Sequence, residues 1–431
     1  MRTILLSDGI HRRKPLSPTV IDAGIALGRR TSRRKPARVV GRFAVAFMLI
    51  FGTVGTLTVP ADASAGWSLQ PSPHPAAWIV SSLNGVVCLS SNDCVAVGSY
   101  QSGSDSSRAE RGLVERCDGK RWSVVPTPAV RIFALLSSVS CTAPGFCMAT
   151  GWRAGGSLME RWNGAKWSIV PSPNRPRLPY AVVFMHGVSC RTSRDCFAVG
   201  EYYGGYGEYT QVEHWDGAHW ATVPSANATS TGAPSSELSG ISCTSGTACI
   251  TVGNSGGAAA AVPTKAWRPL AEQWNGSQWT IMPSATSSKT GGALRAVKCT
   301  SNTNCFAVGG TAADKSLIER WDGTAWTVVP SPNRAHDNTL HAIKCAGTTD
   351  CLAVGGQALQ SASFKGSSFG SPLIEHWNGT TWSIVPHHGP ASIADGYLSG
   401  VACATSRSCT AVGEYEKSGE LRTAFIERQG T

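Results

Sequence analysis

From residue 66 onward, apolar and polar positions alternate with a period of two, in short runs broken by Gly, Asn, Asp, Ser and Pro. The stretch LMERWNGAKWSIVPSP (158–173) is representative. It reads apolar-x-Glu-x-Trp, then Asn163-Gly164, then Trp167-x-x-x-Pro171. Nothing in the body carries the 3.6-residue period of an amphipathic helix, so every element the pattern predicts is a strand.

The pattern also repeats. The first half of each unit reads Leu-x-small-Val-x-Cys, five residues, Cys-x-Ala-Val-Gly. The cysteine pairs are 88/94, 141/147, 190/196, 243/249, 299/305, 345/351 and 403/409. Four residues after each second cysteine stands a glycine: Gly98, Gly151, Gly200, Gly253, Gly309, Gly355 and Gly413. The second half carries a glutamate in every copy: Glu115, Glu160, Glu213, Glu272, Glu319, Glu375 and Glu427. An Asn-Gly or Asp-Gly follows in the first six, a dipeptide that accepts the positive φ of a tight hairpin. Each unit therefore predicts two hairpins, or four short strands. First cysteines recur every 46 to 58 residues. Units of this length with four strands predict the blades of an all-β, seven-bladed propeller, antiparallel within each blade.

The last copy, FIERQGT (425–431), reaches strand three and stops. The segment GWSLQPSP (66–73) has the opposite character, a strand four with nothing before it. Its Trp67 and Pro71 match Trp382 and Pro386. The N-terminal strand is thus expected to complete the C-terminal blade and close the ring without an open edge.

Charge divides the chain. The total of +11 suggests nucleic acid, but residues 1–65 hold 11 Lys/Arg against 3 Asp, leaving 27 Lys/Arg against 24 Asp/Glu in the body. No basic stripe remains to neutralise phosphates, so no nucleic-acid partner is expected. Residues 1–65 instead read as a signal peptide with a long basic n-region. RRTSRRKPARVVGR precedes the apolar run Phe43–Val59, then Pro60 and the small residues Ala63-Ser64-Ala65. Cleavage after Ala65 is expected, with a retained membrane anchor as the alternative. Residues 66–431 form one propeller domain, predicted to be monomeric and secreted or held at the cell surface.

Export frames the cysteines. Fourteen of the fifteen face each other across a hairpin and read as seven disulfides: Cys88–Cys94, Cys141–Cys147, Cys190–Cys196, Cys243–Cys249, Cys299–Cys305, Cys345–Cys351 and Cys403–Cys409. Zinc would need two further ligands per pair, and no histidine pattern repeats to supply them. Cys117 stands where other copies have Trp162, Trp215, Trp274, Trp321 and Trp377, and reads as a buried small residue.

The units resemble the repeats of Asp-box (BNR) propellers, a group that includes sialidases and photosystem-assembly-factor-like proteins. The shared elements are a strand ending in Ala-Val-Gly (CFAVGG, 305–310) and a Gly-x-x-Trp hairpin (WDGTAW, 321–326). The similarity covers the whole repeat region. The Asp-box itself has two steps from Asp to Gly, whereas Asp322 and Gly323 are adjacent, and the paired cysteines lie outside that pattern. The Arg cluster, Tyr and acidic partners of sialidase chemistry have no match. The resemblance implies a fold and no reaction.

A residue present in every blade solves a problem present in every blade, so the seven glutamates and the tryptophan ladder read as structural. Function is expected where blades differ. GEYYGGYGEYTQVE packs Tyr202, Tyr203, Tyr206 and Tyr209 into what reads as a flexible loop, and Trp152, Trp267, Phe364 and Tyr415 occupy neighbouring variable segments. Such aromatics suit a sugar ring or a protein surface. A second candidate is the ring opening strand one: Asn84, Ser137, His186, Ser239, Arg295, His341 and Ser399. Here His186, Arg295 and His341 break a small-polar pattern beside the channel. His336-Asp337 and His387-His388 read as solvent-exposed interblade residues. No metal or cofactor is expected, and no HExxH, GxSxG, Walker or GxGxxG constellation is present. The chain is read as binding a glycan or a cell-surface protein through its loop face. The alternative is a glycoside hydrolase or polysaccharide lyase with chemistry at the channel mouth.

Overall fold

The structure, a computed structural model, describes residues 66–75, 78–102, 109–130, 133–173, 182–204, 207–226, 235–256, 267–285, 291–333, 337–358, 370–387, 393–417 and 421–430. The predicted leader lies outside them, as do Tyr206, His336, Phe364 and His388. Among the described residues every element is a strand. The strands form seven four-stranded antiparallel sheets arranged as the blades of a ring. Blade one runs outward through Trp78–Ser90, Asp93–Ser102, Glu110–Cys117 and Trp122–Val124. Blade seven consists of Ile393–Thr405, Ser408–Lys417, Thr423–Gln429 and, outermost, Trp67–Gln70. The last pair runs antiparallel from Trp67 opposite Gln429 to Gln70 opposite Ile426. Trp67 is 1% exposed and packs with Leu398 and Phe425, so the predicted closure is the one observed.

Strand one of every blade carries a bulge, for example between Met185 and Gly187 and between Leu238 and Gly240. The bulge drives one carbonyl against strand two. A Cβ on Gly200 would sit 1.9 Å from the Phe184 carbonyl oxygen, and one on Gly253 would sit 2.0 Å from that of Glu237. That collision explains the glycine four residues past each second cysteine. In the outer hairpin the positive φ falls on the glycine alone, +93° at Gly164. Asn163 caps the turn instead, its Oδ1 accepting the amides of Ala165 and Lys166 at 3.0 and 2.9 Å.

The tryptophans pair across that hairpin, with Trp162 and Trp167 at 5.8 Å between ring centroids and Trp321 and Trp326 at 5.7 Å. In blade one Cys117 takes the inner place, opposite Trp122, and is 4% exposed. The seven predicted disulfides are all formed, each between directly facing residues.

The repeated glutamates join neighbouring blades. The serine after the strand-four proline donates to the glutamate of the next blade: Ser172 to Glu213 at 2.7 Å, Ser225 to Glu272 at 2.8 Å and Ser331 to Glu375 at 2.9 Å. The N-terminal strand does the same across the seam, from Ser72 to Glu115 at 2.8 Å. In blade seven His387 replaces the serine, 3.4 Å from Glu427, with its other nitrogen 3.0 Å from the Pro372 carbonyl. His387 is therefore an interblade link and not the exposed loop residue expected. Burial pushes Glu115 and Glu160 up to about 8, and Glu272 and Glu375 up to about 7.

Candidate ligand site at the channel mouth

The ring predicted at the start of strand one lines one end of the central channel, around a cavity of about 190 Å³. The bulge turns these side chains inward. Asn84 donates to the Leu136 carbonyl of the next blade at 2.9 Å, and His341 makes the equivalent bond, its Nδ1–H reaching the Leu398 carbonyl at 3.1 Å. Burial and the nearby Arg295 push the His341 imidazole down to about 3, so it is neutral and offers Nε2 as an acceptor. Its ring meets Tyr397 edge-on at 5.1 Å. Arg295 is exposed and joins no described carboxylate in an ion pair.

His186 departs from this arrangement. Its Nε2 lies 2.5 Å from Glu201 Oε2, and Glu237 on the next blade completes a group whose polar atoms all lie within 4.8 Å of one another. Burial opposes charge on His186. The bond to Glu201 and the two carboxylates outweigh burial and hold the imidazole above its ordinary value. Glu237 is also pushed up, chiefly by burial and then by Glu201. Asn254 donates to Glu237 at 2.5 Å. The cluster is thus an imidazole whose charged form Glu201 favours, beside a second carboxyl, Glu237, pushed towards its neutral form.

Glu201 and Glu237 were not among the residues singled out in the sequence, though a signal existed. Glu201 occupies the place just past the strand-two glycine, where Ser99, Asn254, Gly310 and Gly356 stand in other blades. Glu237 precedes the strand-one leucine, where Ser82, Ala293 and Thr339 stand. Glu237 is the one acid of its column, whereas Glu201 shares its column with one other acid, Glu414 of blade seven.

The aromatics are placed differently from the expectation. Tyr202, Tyr203 and Tyr209 lie in strands, because the hairpin of blade three continues its ladder to Gly204 opposite Gly207. Period-two alternation then divides them. Tyr202 is 9% exposed and stacks on Tyr209 at 5.1 Å within the blade core. Tyr203 faces the other way and is 40% exposed. Trp152, also in a strand, stacks on Phe184 at 5.3 Å, and Phe184 meets Tyr203 edge-on at 5.7 Å. Trp152, Phe184 and Tyr203 make one aromatic row across blades two and three, and Tyr203 also neighbours Glu201 and Glu237. Trp267 is half-buried beside Gly256 and joins no such row.

The fold defines the chain as a seven-bladed β-propeller. No family model matches it, and no curated protein matches it in sequence. Among solved structures it is similar to the WD40 repeats of RRP9, with 9% identity and a TM-score of 0.54 over 85% of this chain and 98% of that one. It is similar to U3-55K at 9% identity and a TM-score of 0.53, over 85% of this chain and 99% of that one. YCF48 from Cyanidioschyzon merolae matches at 14% identity and a TM-score of 0.47, over 84% and 98% of the two chains. At these identities the likeness is one of fold alone.

Proposed function

We propose that this chain is a secreted, disulfide-stapled β-propeller that binds a glycan at the mouth of its channel, through blades two to five. The Ala-Val-Gly strand and Gly-x-x-Trp hairpin of its repeats support a kinship with the Asp-box-like propellers. Seven cysteine pairs and the leader pattern support export. The observation that carries the ligand class is the row Trp152–Phe184–Tyr203 running beside Glu201, Glu237 and His186. Sugar rings present apolar C–H faces to aromatic rings and hydroxyls to carboxylates and imidazole, and this edge offers both side by side. Tyr203→Ala and Trp152→Ala are each expected to weaken binding to a glycan array hit about tenfold, with the fold intact by circular dichroism. Tyr202→Ala should instead destabilise the blade, since Tyr202 belongs to its core. Unchanged affinity in both the Tyr203 and the Trp152 variant would refute the assignment.

One observation favours the enzymatic reading. Glu201 and Glu237 place a pair of carboxyl oxygens within 4.8 Å, one group ion-paired and the other pushed towards its neutral form. A carboxyl pushed towards its neutral form is what a general acid requires, and here it stands beside a second, ion-paired carboxyl. Turnover of aryl glycosides or uronic polymers that vanishes in Glu237→Gln would establish it. Binding without turnover across such panels leaves the module as a lectin.

A further inference from the structure

Deeper in the channel, the residue before each first cysteine forms a second ring. In blades one and seven it is Val87 and Ala402, which cap nothing, and in blades two to four it is a serine that caps the next blade. Ser140 Oγ accepts the amide of Cys190 at 3.0 Å, Ser189 that of Cys243 at 3.2 Å and Ser242 that of Cys299 at 3.0 Å. In blades five and six the place is taken by Lys298 and Lys344, in the same register against strand two. By that repeat geometry the amides of Cys345 and Cys403 point at lysine side chains. An ammonium has no acceptor to offer them. No side chain among the described residues accepts either amide, and no described carboxylate pairs with either lysine. Both lysines are half-buried. Two cations therefore adjoin two uncapped backbone donors on neighbouring blades, with nothing negative between them.

We propose that this part of the channel is an oxyanion site, in which Lys298, Lys344 and the amides of Cys345 and Cys403 bind one phosphate, sulfate or carboxylate group. A single oxyanion satisfies both unmet demands, because it accepts the two amides and neutralises the two ammoniums. The low electrostatic shielding of the channel supports the pairing. Burial and the neighbouring Lys344 already push Lys298 down to about 8, a penalty that a bound anion relieves. The site is separate from the Glu201–Glu237 rim, so it stands or falls independently of the glycan proposal.

The test is titration calorimetry of the full chain with inorganic phosphate, sulfate and acetate in turn, at constant ionic strength set by a bulky salt. Saturable binding of at least one is expected, and the ranking identifies which headgroup chemistry the site prefers. The Lys298→Ser/Lys344→Ser variant installs the residue that blades two to four already use. It restores the amide caps and should fold, while its anion affinity falls about tenfold or more. In the wild type, the Lys298 pKa followed by NMR of the dimethylated lysine should rise when the anion is added. No saturable binding by any of the three anions, or equal binding by the double serine variant, overturns the proposal.

Discussion

Seven glutamates recur in sequence because each blade must be fastened to the last, and most accept a hydroxyl from the preceding blade's strand-four tail. Burial makes this a pH-sensitive device. Glu115, Glu160, Glu272 and Glu375 hold their protons to about 8, 8, 7 and 7, while the same groups in the unfolded chain ionise near the ordinary glutamate value of 4.5. Between those values the folded chain binds more protons than the unfolded chain, so stability falls as pH rises. The depressed imidazole of His341 acts in the opposite sense, but it is one group against four and its contribution levels off about one pH unit above the ordinary imidazole value of 6.5. Thermal unfolding should therefore shift downward from pH 6.5 to 8, by about 1.4 kcal/mol per pH unit for each carboxyl still protonated. Glu160 is the sharpest probe, since its Oε2 is buried without a partner. Glu160→Gln should flatten the slope and raise the melting temperature at pH 8, as scanning calorimetry would show. An unchanged slope would mean that the carboxyl is ionised in the folded state.

At the scale of the hairpin, the same bulge that collides with a Cβ at Gly309 aims Arg295 into the channel. A methyl there would lie 2.0 Å from the Ala293 carbonyl oxygen, so Gly309→Ala should cost about 2–3 kcal/mol in denaturant unfolding. Gly145→Ala, with nothing within 4 Å, should be close to neutral. This element also marks how far the sequence could be read. Strand count, disulfide pairing, the glycine and the glutamate were legible, because each answers a demand that every blade repeats. His186, Arg295 and His341 were legible too, as departures from one small-polar column. Glu201 and Glu237 were not, because their meeting depends on which residues the bulge offsets across two strands and two blades. Tyr202 and Tyr203 were read alike as loop aromatics. Only the length of the ladder assigns one to the core and the other to solvent.

For the whole molecule, closure is the decisive element. The strand Trp67–Gln70 supplies four backbone partners, a buried tryptophan and, just beyond them, the Ser72 link to blade one. Deleting residues 66–73 should lower the melting temperature far more than removing eight residues from the connection between Ala358 and Ser371. Trp67→Ala alone should cost about 3–5 kcal/mol. Equal thermal stability of the two deletions would mean that the ring does not depend on its seam.

The seam also sets how the ring bears load. Six blades are each a continuous length of chain, with the outer two strands held to an inner hairpin that a disulfide locks. Blade seven is sewn from two distant segments of the chain, so hydrogen bonds alone join its outermost strand to strand three. Tension applied at residue 66 falls on four residue pairs, while the outermost strand of every other blade is also tied to strand three by the covalent turn between them. Pulled from that end, the molecule should part at one defined place and at low force, releasing Trp67–Gln70 first and leaving the other blades assembled.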